Sequence, residues 1–195
     1  MLSATQAARQ KSSANAVGTD FCRIFEKDMD HLYLLSFLLT ADHRLAEDCF
    51  VRGLEDAINS NRIFKEWAQA WARRMVIQNA IQIIQPQAAE TSGASSSADH
   101  DVPAPARIAA IVGLPAFERF VFVMSVLERY SDQECAVLLD HGRSEVIAAR
   151  TRALQQIAGS PELQRQLSIA ASHSPRREHR SAFRPEAGQQ VTVFA

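Results

Sequence analysis

Apolar side chains recur along this chain at the three- and four-residue spacing of helices. From Asp20 to Thr40 they fall at Phe21, Ile24, Phe25, Leu32, Leu35 and Leu39, which predicts a first helix. Asp42 then supplies a break and an N-cap, because its carboxylate can accept from the freed amides of the next turn. A second helix, about Leu45 to Asn59, places Cys49, Phe50, Gly53, Leu54 and Ala57 on one face. After "NSN", a third helix is expected from about Ile63 to Gln85, with Phe64, Trp67, Trp71, Met75 and Ile83 as its buried stripe; Pro86 stops it.

The pattern then lapses. Segment 87–106 has no periodicity, is rich in Ser, Ala and Pro, and reads as a flexible acidic linker. Periodicity resumes in a short helix from Arg107 to Val112. Pro115 suits the first turn of the next, where Phe117, Phe120, Val121, Met124 and Leu127 recur. Ser131 with Glu134 three residues on forms a capping box. The stretch beginning there predicts two short helices around a tight corner. Ala136 is the small residue where they touch, Asp140 is a corner residue tolerant of left-handed backbone, and Gly142 relieves the rest. Ser144 is expected to cap the second helix, whose inward stripe is Val146, Ala149, Ala153 and Ile157. Ser144, Glu145, Ala148, Thr151, Arg152 and Gln155 are left facing outward. The reading is all-α, with two small helical domains: 20–86, a three-helix bundle, and 107–170, a helix-turn-helix. Segments 1–19 and 171–195 are expected to be disordered.

Composition sharpens this picture at three points. Only 7 Gly and 7 Pro in 195 residues favour helix over sheet, and 47% hydrophobic residues are ample for cores. The net charge of −1 is not the basic balance of a protein that coats nucleic acid, so any DNA contact must rest on local geometry. Between 107 and 159, Arg107, Arg119, Arg129, Arg143, Arg150 and Arg152 are balanced by six acids, at 118, 128, 132, 134, 140 and 145. The three cysteines form no CxxC pair, which suits small core residues in a reducing cytosol. The stretch "LYLLSFLLTA" is about half the roughly 20 residues a membrane span needs, so a cytoplasmic protein without membrane insertion is expected.

Catalytic chemistry finds little footing. No Gly-rich phosphate loop or GxSxG elbow occurs, and the six His do not cluster at ligand spacing. The pairs Glu47-Asp48 and Glu55-Asp56 lack a Glu-x-x-His partner and read as a solvated helix face rather than a metal site. Trp67 and Trp71 read as core rather than as base-stacking platforms. No enzyme, cofactor or metal is expected.

Several motifs in order resemble the bacterial sigma factors of the extracytoplasmic-function type. "LYLLSFLLTADHRLAED" is similar to that family's opening helix and turn, ending in Ala46-Glu47-Asp48. "FKEWAQAWARR" is similar to its FxxWxxxxAR signature through Phe64, Trp67, Ala72 and Arg73. "LPAFERFVFVM" resembles its LPxxxRxVFxL segment through Leu114, Pro115, Arg119, Val121 and Phe122. "YSDQECAVLL", then Val146, Arg152 and Ala153, follow at the family's spacing.

The resemblance covers most of residues 20–158. It implies a first domain that binds core RNA polymerase and melts the −10 promoter element, and a helix-turn-helix that reads the −35 element. An anti-sigma factor is a further implied partner. Carried over by position, polymerase contact falls to Asp48, Val51 and Arg52, and contact with promoter DNA to Arg73, Arg74, Arg143, Ser144, Thr151 and Arg152. The chain departs from the family pattern at Val51, Arg52 and Asp56, where a Gln-Glu pair and an Arg are usual. It departs again at Ile147 and Ala149, where a Lys and an Arg are usual. Each departure removes a polymerase, phosphate or base contact. The alternative reading is a degenerate sigma-like module that binds proteins without directing transcription.

Overall fold

The computed structural model describes residues 15–60, 63–88 and 105–161. The expectations for the first 14 residues, for most of the linker (89–104), for the end of the second helical block (162–170) and for the tail lie outside these.

The described chain is all-α. In the first block, α1 (Gly18–Lys27), α2 (Met29–Thr40), α3 (His43–Asn59) and α4 (Ala68–Ile84) pack around Phe21, Phe25, Leu32, Leu39, Val76 and Ile77. The periodicity from Asp20 to Thr40 is thus shared by two helices rather than one. Asp28, at φ −103° and ψ 21°, closes α1 and opens α2. The break escapes a pattern reading because Phe25 and Leu32 stay buried on either side of it.

Two expected punctuation marks hold. Ala41 takes a left-handed conformation (φ 57°) at the end of α2, and the Asp42 carboxylate accepts from Leu45 N at 2.9 Å to start α3. Cys49, Gly53 and Ala57 form the buried face of α3. Gly53 is needed there for space. A Cβ at this position would lie 3.0 Å from Val76 Cγ2 and 3.2 Å from Val76 Cα, so α3 and α4 meet backbone to backbone. Cys49 Sγ reaches Val76 O at 3.2 Å, and burial pushes its thiol up to about 11.

The third helix departs from expectation at its start. Lys65–Trp67 form a single 3₁₀ turn, and α4 begins at Ala68. The tighter turn swings Phe64 and Trp67 out of the predicted stripe: they are 47% and 62% exposed. Their rings meet edge to face, with centroids 5.7 Å apart. Trp71 is half-buried, and its indole N–H donates to Ser60 Oγ at 2.8 Å. Beside this turn, Ala16 N donates to Ile63 O, tying the approach to α1 against the start of the α4 arm.

In the second block, α5 (Ala106–Val112) and α6 (Ala116–Phe122) are separated by Gly113–Pro115. A π-turn, Val123–Leu127, follows α6 directly. α7 (Asp132–Leu139) and α8 (Arg143–Ala158) complete the block, with Phe117, Phe120, Val121, Met124 and Val146 buried among them.

The two blocks share one continuous core, in which α2 packs against α5, α6 and the π-turn. Arg119, 7% exposed, spans the seam. Its Nε donates to Leu39 O at 3.2 Å, and its Nη1 to Leu114 O at 3.0 Å and Val112 O at 3.3 Å. Leu39 and Val112 lie in the last turns of α2 and α5, where carbonyls lack helical partners. Burial pulls the guanidinium's pKa down to about 10, so it remains charged at neutral pH. Ala88 N, just beyond α4, donates to His141 Nε2 at 3.2 Å in the other block.

Replacing Arg119 with Met keeps an unbranched apolar stem and strips the donors from two buried carbonyls and one part-buried one. Arg119→Met is expected to cost about 3 kcal/mol, read as a lower urea midpoint at unchanged slope. Gly53→Ala, which forces the α3–α4 backbones apart, is expected to cost about 1–3 kcal/mol in the same measurement.

Candidate functional site

The corner between α7 and α8 forms as its residues dictate. Ser131 Oγ accepts from Glu134 N at 3.2 Å, and the Glu134 carboxylate accepts from Ser131 N at 2.8 Å. The Ser131 hydroxyl also donates to this carboxylate at 2.7 Å, and that bond, with the one from Ser131 N, holds the carboxyl below its usual range. Asp140 takes the left-handed conformation, φ 54° and ψ 46°. His141 bonds through Nδ1 to Leu139 O, and its ring packs on Phe117 with centroids 4.5 Å apart. Val146, Ala149 and Ala153 are fully buried under α8.

One expectation at the corner is corrected. Gly142, not Ser144, is the N-cap of α8, and it sits at an ordinary φ of −67°. Glu145 reaches back to accept from Gly142 N at 2.8 Å, which makes the cap and leaves Ser144 exposed inside the first turn. The Glu at position 145 therefore has a structural task.

The remaining DNA candidates divide into spent and available cations. Arg152 is spent: its Nη2 lies 2.8 Å and its Nε 2.9 Å from Oε1 of the buried Glu118 on α6. Arg150 pairs with Asp132 across the α7–α8 corner. Arg73, on α4, lies 3.9 Å from Glu128, a carboxylate only 7% exposed that also faces His31 at 3.7 Å. Thr151 donates back to Ile147 O at 3.0 Å, within its own helix. Arg143 is exposed and makes no ion pair among the described residues; the same holds for Arg74, which is half-buried on α4. Among the polar side chains of the corner surface three large apolar ones stand open, with Val137 68%, Ile147 40% and Leu154 46% exposed.

The polymerase candidates share one helix. Asp48, Val51 and Arg52 occupy positions i, i+3 and i+4 of α3, all exposed, with Val51 52% open to solvent. The carboxylate pairs on α3 remain on its outer side, where Asp56 accepts from Asn79 Nδ2 at 2.8 Å. Among the described residues no His, Cys, Asp and Glu gather as a metal site, and no helix is long and apolar enough to cross a membrane.

A feature the sequence did not announce lies at the seam between the blocks. A cleft of about 440 Å³ is lined by Trp67, Trp71 and Tyr130 and by Arg73, Arg74 and Arg129. Sequence reasoning missed it because it depends on Trp67 facing out and on the second block closing over α4. The FxxWxxxxAR segment was the available signal for one wall; nothing local pointed to the other.

The Arg152–Glu118 pair generates a direct expectation. Arg152→Ala strands a buried carboxylate, costing about 1–2 kcal/mol after allowance for the half-exposed guanidinium. Glu118→Gln in the same chain is expected to recover part of that loss, which a double-mutant cycle by urea denaturation measures.

No known protein-family model matches the chain, and no curated protein is significantly similar to it in sequence.

Proposed function

We propose that the protein is a sigma-like transcription initiation factor. In this reading the exposed face of α3, with Asp48, Val51 and Arg52, engages core RNA polymerase. Arg73 and Arg74 on α4 approach the −10 element, and the helix-turn-helix takes the −35 element through Arg143 and Ser144, with Thr151 and the ion-paired Arg152 on the same exposed face. The protein works in the cytoplasm, where an anti-sigma factor is a further partner. It needs no reaction chemistry, since recruitment and capture of a melted strand are binding events.

The observation that carries this reading is the corner itself. Asp140 is left-handed between a boxed α7 and a 16-residue α8 whose outer face is open along its whole length. That is the arrangement by which a second helix is presented to a major groove. The resemblance of the flanking segments, in order on either side of 87–106, supplies the rest.

A second reading is favoured by the ion pairs. Arg152 and Arg73 are drawn to Glu118 and Glu128, while Val137, Ile147 and Leu154 lie open, which suits a module that binds a protein partner rather than DNA.

One experiment separates them. Purified protein is mixed with core polymerase and tested for co-elution and for promoter-specific run-off transcription. Co-elution with a defined transcript is the expected result, and Arg143→Ala is expected to reduce the transcript and lower the salt slope of promoter binding by about 1. Co-elution without a transcript favours the protein-binding module. Failure to bind core overturns the sigma reading.

A further inference from the structure

We propose that the seam cleft binds a free nucleotide bearing two or more phosphates, with its base among the aromatic rings and its phosphates on Arg74 and Arg129.

The cleft has two walls of different origin. One is the 3₁₀ turn and first half of α4, with Trp67, Trp71 and Arg74; the other is the segment from Glu128 to Glu134, with Arg129 and Tyr130. Its volume of about 440 Å³ lies within the range of small-molecule sites. Flat π-faces with guanidinium groups beside them are the chemistry that holds a base and its phosphates.

The two acids in the lining offset part of this charge, leaving three guanidiniums against two carboxylates. Glu134 is committed to the Ser131 cap, accepting from both its N–H and its hydroxyl. Glu128 is buried and faces His31 and Arg73. Arg74 and Arg129 are left without an ion pair among the described residues, though Arg74 feels the charge of Glu134. The Nε–H of Arg73 is buried and has no hydrogen-bond partner among the described residues.

Arg129 has φ 61° directly after Glu128 closes the π-turn, the same left-handed helix ending as at Ala41 and Asp140, and its side chain lies in the cleft lining. A continuous strand is the weaker occupant. The Arg73–Glu128 pair joins the two walls, so a strand held by Arg73 and Arg74 would pass along the mouth of the cleft rather than through it.

Both tryptophans of the chain line the cleft, so intrinsic fluorescence reports on it directly. The test uses the full chain alone, without polymerase or DNA, and its failure is therefore independent of the transcription reading. ADP, adenosine, pyrophosphate and a 12-nucleotide single-stranded DNA are titrated separately, with excitation at the tryptophan edge and calorimetry as a second readout. ADP is expected to quench and to bind at least tenfold more tightly than adenosine or pyrophosphate. Arg74→Ala and Arg129→Asn are each expected to weaken ADP at least tenfold. Asn is chosen at 129 because it accepts the left-handed backbone, and thermal melts confirm that both variants are folded. The proposal is overturned by absent quenching and heat at millimolar ADP, by equal binding in the two variants, or by tight binding of the oligonucleotide that ADP does not displace.

Discussion

Burying a guanidinium without a carboxylate is costly, and at Arg119 the cost is offset by backbone carbonyls from both blocks. Two of these, at Leu39 and Val112, belong to helix ends, where carbonyls have no helical partner and the helix dipole is negative. One side chain thus caps α2 of the first block and α5 of the second at once. It sits at the edge of the apolar core the two blocks share. With α2 held against α5 and α6, Glu128 meets Arg73 and His31, and His141 meets the chain leaving α4. The cleft at the seam exists only while these contacts hold.

Charge in this molecule is spent inward. Between 107 and 159 the sequence is neutral, and the structure shows where the balance goes: Arg152 to Glu118, Arg150 to Asp132, Arg119 to carbonyls. Side chains that count as cations in a sequence are, in the fold, internal struts. Between 107 and 159, the exposed arginines without an ion pair among the described residues are Arg107, Arg129 and Arg143. The second helix of the corner therefore carries few unpaired cations.

Local features were legible in the sequence because their physics is local. Asp42 capping α3, the Ser131–Glu134 box and the left-handed Asp140 each involve residues within a few positions, and residue type decides them. The errors arose where two local rules competed. Ser144 and Gly142 could both begin α8, and the reach of Glu145 back to Gly142 N settled it. Phe64 and Trp67 fit a helical stripe, but the chain turns more tightly at 65–67 and turns them outward. The cleft and the Arg119 bridge were beyond reach, since Arg119 and Leu39 stand 80 positions apart and no pattern within either block names the other.

The π-turn at Val123–Leu127 has a consequence for register. Glu128 N bonds to Val123 O and Tyr130 N to Met124 O, so the turn holds more residues than an α-helical one. Each extra residue carries later side chains about 100° around the axis without lengthening the helix by a full turn. Glu128, Arg129 and Tyr130 therefore face directions that an unbroken α6 would not give them. The widened turn works as a rotation inserted in the backbone, and it aims three successive side chains at the neighbouring block while Val121 and Met124 keep their places in the core.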